Sequence, residues 1–137
     1  MRHPYRYIGC FISPSSLEAA IAGLGVRLSK PIACPHITFA YMPKTVDTSL
    51  FGERVIFRAV GYGRDEENEG LLVEPLCVPA RLKTLADEID VPHITLSVSD
   101  SGEPVNTRYL QFTPIEPFEL EGTFGGFTDK QAVVLHP

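Results

Sequence analysis

The sequence has no apolar run long enough to cross a lipid bilayer. A membrane-spanning helix needs about 20 consecutive apolar residues, and no stretch of this 137-residue chain approaches that length. The first six residues, MRHPYR, also lack the apolar segment of a secretory signal peptide. We therefore expect a cytoplasmic protein (in the host cytoplasm if the protein is viral) with no membrane partner.

Cysteine is scarce and follows no pairing pattern. The three cysteines, at positions 10, 34 and 77, are odd in number, widely spaced and without a CxxC motif. This spacing argues against the disulfide framework of small secreted domains. It predicts three reduced thiols, which agrees with a cytoplasmic location.

Positive charge is also in short supply. Lys and Arg number 12 against 17 Asp and Glu, which gives a net charge of -5. A negative protein is a poor non-specific binder of a long polyanion such as RNA. A small phosphorylated ligand needs only a few local donors, so the composition leaves such a ligand open. No obligate protein partner is indicated.

No low-complexity segment or long linker divides the chain. An apolar fraction of 44% and a charged fraction of 21% are typical of a soluble globular domain. Residues 1–137 are therefore predicted to form one domain, which at this length can bury a real core.

One tetrapeptide, Pro-His-Ile-Thr, occurs twice, at 35–38 and again 57 residues later at 92–95. Each copy opens an alternating run that predicts a β-strand, 36–41 and 93–98. Side chains at i and i+2 share one face of a strand. Each strand should therefore present one imidazole and one hydroxyl together. Two such strands side by side would form a pocket with two histidines and two threonines.

The two copies also share their context, because each follows a strand and then a helix. This order predicts an internal duplication with halves at about 1–60 and 61–137. The expected fold is α+β: two similar lobes whose antiparallel sheets line a central cleft, with helices outside. The sequence predicts strands at 5–12, 36–41, 54–62, 71–76, 93–98, about 117–123 and 131–135, a helix from a Ser15/Glu18 capping box to about Leu24, a charged turn at 63–70, and a helix at 79–89.

Two histidines that face each other suit acid–base chemistry on a phosphodiester. The unperturbed pKa of histidine lies near physiological pH, so one ring can accept a proton while the other donates one. Thr38 and Thr95 would supply hydroxyl donors to the phosphoryl oxygens. The scheme needs no metal and no cofactor. His36 and His93 can each take either role, and the nucleophile is either water or a ribose 2′-hydroxyl.

The doubled motif resembles the signature of the 2H phosphoesterase superfamily, two His-x-Thr-x motifs. Here they read His36-Ile-Thr-Phe and His93-Ile-Thr-Leu, and the resemblance covers nearly the whole chain. It implies a bilobal α+β fold, His36 and His93 as catalytic acid and base, and Thr38 and Thr95 as phosphate-binding residues. It also implies a nucleotide, cyclic nucleotide or RNA end as substrate, with the 2′,3′-cyclic phosphate favoured.

Finer resemblances point to two subgroups. The second motif, followed by the segment GEPVN at 102–106, is similar to the cyclic phosphodiesterase region of tRNA ligases. The first motif, His36-Ile-Thr-Phe-Ala-Tyr, is similar to small phage enzymes that destroy cyclic-oligonucleotide immune signals, the anti-CBASS type. Cleavage of cyclic di- or trinucleotides is therefore the alternative activity. A catalytically inactive nucleotide- or RNA-binding module is the alternative without catalysis.

Further residues are candidate substrate contacts. Tyr41 follows the first motif and could bind phosphate or a base, Phe127 could stack on a base, and Lys44 and Arg64 could contact phosphate. Solvated loop charges or packed aromatics are the competing interpretations. The acidic run around Asp65 fits no EF-hand and predicts a solvated turn. Cys34 beside His36 lacks a second ligand pair for zinc, so no metal site is expected.

Overall fold

The protein is an α+β domain built around one eight-stranded antiparallel sheet. The computed structural model describes residues 3–25 and 27–137. The strands and α-helices run, in chain order, β1 Tyr5–Ile12, α1 Pro14–Ile21, β2 Lys30–Pro31, β3 His36–Tyr41, β4 Arg54–Arg64, β5 Asn68–Cys77, α2 Lys83–Asp87, β6 His93–Val98, β7 Thr113–Thr128 and β8 Val133–Val134. Short 3₁₀ segments lie at Thr48–Leu50, Ala80–Leu82 and Pro104–Tyr109.

The strand order places the two His-Ile-Thr strands toward opposite ends of the sheet. The order is β2-β6-β5-β4-β7-β1-β3, with β8 on β7. Pairing of β4 with β7 joins all strands into one sheet, where the sequence predicted two separate sheets. β3 and β6 nevertheless come within 8 Å of each other, measured between Cα atoms. The two motif strands therefore face each other without pairing.

Strand alternation puts the aliphatic side of the first motif in the core. In β3, Ile37 and Phe39 are buried while His36 and Thr38 are half-buried. The core is one cluster to which every long strand contributes apolar side chains. β3 is therefore held by its apolar face, and its polar face is left free. The predicted strands 5–12, 36–41 and 93–98 are confirmed at both ends.

The helices differ from their predicted bounds. The first begins at Pro14, where the fixed φ of proline suits the first turn, and it is preceded by Ser13 without a side-chain cap bond. The predicted Ser15 capping box is therefore wrong. The chain leaves this helix after Ile21 and reaches Gly23 with φ +89°, a left-handed conformation that favours glycine. The predicted helix 79–89 is a 3₁₀ turn followed by the short α2.

The charged segment 63–70 is a tight hairpin rather than a long turn. β4 continues to Arg64 and β5 starts at Asn68. The Asp65 carboxylate accepts the backbone N–H groups of Glu67 and Asn68, which closes the turn. The predicted strand 117–123 extends to Thr113–Thr128, because β7 pairs with β4 along its first part and with β1 along its second. The predicted strand 131–135 is shorter than expected, since only Val133–Val134 pairs with β7.

A glycine and a bulge lie beside each motif strand at matching positions. Gly9 faces Thr38 and Gly70 faces Thr95, each next to a break in register. A Cβ on Gly9 would collide with the Ile37 carbonyl oxygen, and a Cβ on Gly70 would lie 2.7 Å from the corresponding carbonyl oxygen of the second motif. Both motif strands therefore depend on the same close backbone approach. No helix of the described residues is long and apolar enough to span a bilayer.

Candidate active site

The two motif histidines are fixed in the same way. His36 Nδ1 lies 2.9 Å from the Cys34 carbonyl oxygen, and His93 Nδ1 lies 2.7 Å from the Val91 carbonyl oxygen. A carbonyl only accepts, so each neutral ring carries its proton on Nδ1 and donates it there. Nε2 is then the basic nitrogen of both rings. Each imidazole is oriented from behind by its own backbone two residues earlier.

Burial and nearby positive charge lower the pKa of both histidines. Burial lowers the pKa of His36, and the charge of His93 lowers it further, against the bond to the Cys34 carbonyl, which raises it. Burial likewise lowers the pKa of His93, as does the positive charge of Arg108. The site therefore disfavours two imidazolium ions at once. It favours one proton, or none, on the pair.

An aromatic surface flanks His36. The Tyr7 ring stacks on the His36 ring with centroids 4.6 Å apart and planes 25° apart. Phe127 stacks on Tyr7 at 5.0 Å, and Phe11 lies 5.8 Å from His36. Burial raises the pKa of Tyr7, so its hydroxyl, 3.4 Å from His36 Nδ1, stays protonated. Phe127, one of the predicted substrate contacts, thus joins the His36 side of the site through Tyr7.

The two motif threonines differ in environment. Thr38 is half-buried on the face of His36. Thr95 is buried, and its hydroxyl hydrogen-bonds the Pro104 carbonyl oxygen at 3.0 Å and the Thr107 hydroxyl at 2.8 Å. Thr38 is therefore the more accessible hydroxyl donor. Thr95 secures the 3₁₀ segment 104–109 against β6.

The same segment brings a cation to His93. Thr107 is fully buried and also accepts the Asn68 side-chain amide at 3.0 Å. The next residue, Arg108, donates from Nη2 to the Asp90 carboxylate at 2.6 Å. Arg108 is thus tied to residues on either side of His93 in the chain, directly to Asp90 and through the neighbouring Thr107 to Thr95. Its positive charge lowers the pKa of His93.

Sequence reasoning missed Tyr7, Thr107 and Arg108. Tyr7 lies in the first strand, where an aromatic residue is ordinary, and its register partners are Tyr41 and Phe127. Only the tertiary stack of its ring brings it to His36. The segment GEPVN at 102–106 leads directly into Thr107 and Arg108, and a threonine and an arginine just after that segment were the available signal.

Other predicted contacts lie apart from the histidines. Tyr41, at the far end of β3 from His36, is 66% exposed and lines an open groove with Lys44 and His3. Arg64 is exposed beside the β4–β5 hairpin, paired in register with Glu69 near the far end of β6 from His93. The structure brings together the two histidines and, through Tyr7, Phe127, but not these residues.

One member of the acidic run around the hairpin, Glu69, lies inside the protein, whereas Asp65, Glu66 and Glu67 are exposed. Glu69 is fully buried and is bound by Arg27, by the Tyr62 hydroxyl and by the Ser97 hydroxyl, the last at 2.8 Å. Burial raises the pKa of Tyr62 to about 12, helped by its bond to Glu69. Within residues 3–25 and 27–137, no cluster of three or more His, Cys, Asp or Glu side chains could hold a metal ion.

Comparison of this chain with models of protein families and with curated proteins finds no match. The site is therefore defined by its own chemistry. It combines two imidazoles with basic Nε2 atoms and lowered pKa values, one accessible threonine, an aromatic stack on the His36 side and a guanidinium on the His93 side. Such a set can move protons and receive an anion with an attached aromatic group.

Proposed function

We propose that this protein is a phosphodiesterase of the 2H type, in which His36 and His93 act as acid and base without a metal or cofactor. The observation that carries the proposal is the matched pair of imidazoles. Each comes from its own Pro-His-Ile-Thr strand, each donates from Nδ1 to a backbone carbonyl, the two strands approach within 8 Å between Cα atoms, and the charge of His93 lowers the pKa of His36. A structural histidine does not require a partner of identical geometry.

The favoured substrate is a 2′,3′-cyclic phosphate on a nucleotide or RNA end. One neutral imidazole removes a proton from water through Nε2 while the water oxygen attacks phosphorus. The other imidazole, protonated at Nε2, gives its proton to the departing ribose oxygen as the P–O bond breaks. The products are a phosphomonoester and a free ribose hydroxyl, and the two rings have exchanged protonation states, which solvent restores.

The flanking groups fit this substrate class. Thr38 is placed on the His36 face to donate a hydrogen bond to a phosphoryl oxygen. Phe127 and Tyr7 offer a stacked aromatic surface on which a base can pack. We propose a nucleotide partner of this kind in the cytoplasm, and no protein partner.

We also propose that the chain is a duplicated bilobal fold of this superfamily. The unit β1-α1-β3-β4 recurs as β5-α2-β6-β7, and the strand order is symmetric about the β4–β7 pair once the short β2 and β8 are set aside. The matching glycines, Gly9 and Gly70, support the same relationship. The two lobes would each supply one histidine.

The test is incubation with 2′,3′-cyclic AMP and with a panel of cyclic di- and trinucleotides, with products identified by chromatography. Turnover of 2′,3′-cyclic AMP that persists in the presence of EDTA supports the proposal. Selective turnover of cyclic oligonucleotides would favour the counter-defence activity instead. Binding without any product would favour an inactive module, and loss of activity in EDTA that zinc restores would contradict the metal-free mechanism.

A further inference from the structure

The hydrogen-bond donors of the Arg108 guanidinium are only partly satisfied in this structure. Its Nη2 donates to Asp90, but its Nε is buried and has no hydrogen-bond partner among the residues that the structure describes. Nε and Nη2 form one edge of the guanidinium, and this edge matches the two oxygens of a carboxylate or phosphate. Asp90 therefore uses only half of an edge suited to two parallel hydrogen bonds.

The backbone that carries Arg108 is nevertheless held firmly in place. The preceding Thr107 is fully buried and hydrogen-bonded to both Thr95 and Asn68, and Asn68 also donates to the Glu103 carbonyl oxygen at 2.8 Å. Buried, mutually bonded polar groups fix a backbone more strictly than surface contacts do. The network anchors the backbone that carries Arg108 to the strand of His93.

Asp90, by contrast, is poorly held. Its side chain is 80% exposed, against 35% for Arg108. An exposed carboxylate is stabilised little by a surface ion pair, so a better anion can displace it. Arg108 is thus a cation on an anchored backbone, and its present partner is easily exchanged.

We infer that Arg108 is the substrate-phosphate ligand of the His93 side of the site and that Asp90 occupies it until substrate arrives. The inference rests on the proposed function for the identity of the anion, a phosphodiester. On binding, a non-bridging phosphoryl oxygen replaces the Asp90 carboxylate and the guanidinium turns its Nε–Nη2 edge to the phosphate. The positive charge then offsets the charge that develops on the phosphoryl oxygens. Thr38 would contact the same phosphate from the His36 side.

The experiment compares Arg108→Gln, Arg108→Lys, Asp90→Asn and the double variant Arg108→Gln/Asp90→Asn. The readouts are KM and kcat for 2′,3′-cyclic AMP and the affinity for inorganic phosphate by calorimetry. The matched control is the ion pair of Arg54 with Glu121, also 2.6 Å long and exposed, tested as Arg54→Gln and Glu121→Gln.

Arg108→Gln should weaken phosphate binding and raise KM by about 10- to 100-fold, because a charge-assisted bond is lost. Arg108→Lys should have a phosphate affinity and a KM between those of wild type and Arg108→Gln, because an ammonium group lacks the two parallel donors of a guanidinium edge. Asp90→Asn should act in the opposite direction and tighten phosphate binding, because the competing carboxylate is gone. In the Arg108→Gln background Asp90→Asn should have no effect, since the competition acts through Arg108. Both control variants should leave KM unchanged.

A structural ion pair would behave differently, because removal of either partner would then have the same sign. KM and phosphate affinity within twofold of wild type in a folded Arg108→Gln, or an Asp90→Asn that raises KM, would overturn the inference. If Arg108→Gln does not fold, Arg108→Lys and Asp90→Asn decide the matter by the same signs. If the protein shows no turnover but binds phosphate in a manner that depends on Arg108, the proposed function is contradicted and this inference is supported.

Discussion

Tyr7 lies face to face with His36, and this stack fixes one side of the imidazole while the Cys34 carbonyl fixes its Nδ1 edge. The ring of Tyr7 also contributes to the burial that lowers the pKa of His36. Under the proposed function we expect Tyr7 to be a positioning residue that acts through its ring more than through its hydroxyl.

Replacement of Tyr7 separates these contributions. Tyr7→Ala should lower kcat by about 10- to 100-fold, because a loosely held base loses its near-attack geometry. It should also raise the pKa of His36 toward that of free imidazole, as followed by NMR titration of the ring. Tyr7→Phe keeps the stack and should retain near-normal kcat. Equal losses in the two variants would instead assign the role to the hydroxyl.

Removal of either motif histidine should abolish most activity. We expect His36→Asn and His93→Asn each to lower kcat by about 10²–10⁴-fold, the usual contribution of a general acid or base. Both side chains are half-buried. Among the described residues each ring hydrogen-bonds a backbone carbonyl, and His36 has in addition only a long contact to the Tyr7 hydroxyl. Thermal unfolding should therefore change little. A variant with near-normal kcat would show that the two rings do not share the work.

Activity should peak on the acidic side of neutrality. In the proposed mechanism the reactive form carries one proton on the histidine pair. Burial above all lowers the pKa of both rings, neighbouring charge lowers it further, and the backbone hydrogen bonds only partly oppose this. The plot of kcat/KM against pH should therefore be bell-shaped with both limbs governed by the pair and centred below pH about 6.5. Two limbs above that pH would contradict the direction of both shifts.

The same shifts make folding depend on pH. Because the folded-state pKa values are the lower ones, the unfolded chain binds protons first as pH falls. The stability that the neutral rings confer is present above pH about 6.5 and is lost as pH falls through that value toward the folded-state pKa values. Urea unfolding across this window should show the loss in wild type, and a smaller loss in the double variant His36→Asn/His93→Asn.

The two threonines should separate catalysis from stability. Thr38→Ala removes an accessible donor and should lower kcat by about 10²-fold with little change in stability. Thr95→Ala leaves the buried Thr107 hydroxyl short of a partner, and it should also lower the free energy of unfolding by about 1–3 kcal/mol. Urea denaturation and steady-state kinetics on both variants check this. Equal effects on stability would contradict the different burial of the two residues.

The buried Glu69 should matter for stability alone. Glu69→Gln leaves Arg27 without its counter-charge and should cost about 3 kcal/mol in the free energy of unfolding. Glu74→Gln breaks a pair that is nearly half exposed and should change stability by about 0–1 kcal/mol. Denaturant titrations give both values. If the Glu69 variant were as stable as the Glu74 variant, the buried carboxylate would not be needed for stability.

Local pattern was sufficient for the motif strands and insufficient for their surroundings. Strands 36–41 and 93–98 were predicted because alternation and the flanking prolines act over a few residues. Tyr7 and Arg108 were not, because the first depends on a ring stack between residues distant in sequence and the second on a buried hydroxyl network. The helix at 79–89 was overestimated, because a periodic apolar stripe does not reveal that its first turn is 3₁₀.

The joining of the sheets was likewise invisible in the sequence. Residues 117–123 read as an ordinary strand, but pairing of β7 with β1 on one side and β4 on the other extends it to Thr113–Thr128. Long-range pairing of this kind overrides local propensity. It also converts the two predicted sheets into one.

Pairing of β4 with β7 has a consequence for the chain as a whole. The hairpin turn at 65–67 separates a segment that contains His36 from a segment that contains His93, and the segments are held together along β4 and β7. A chain cut at that turn would give two fragments, each with one imidazole and an open strand edge. Under the proposed mechanism neither fragment could break a phosphodiester alone, so recovered turnover on mixing would report that the fragments had reassembled.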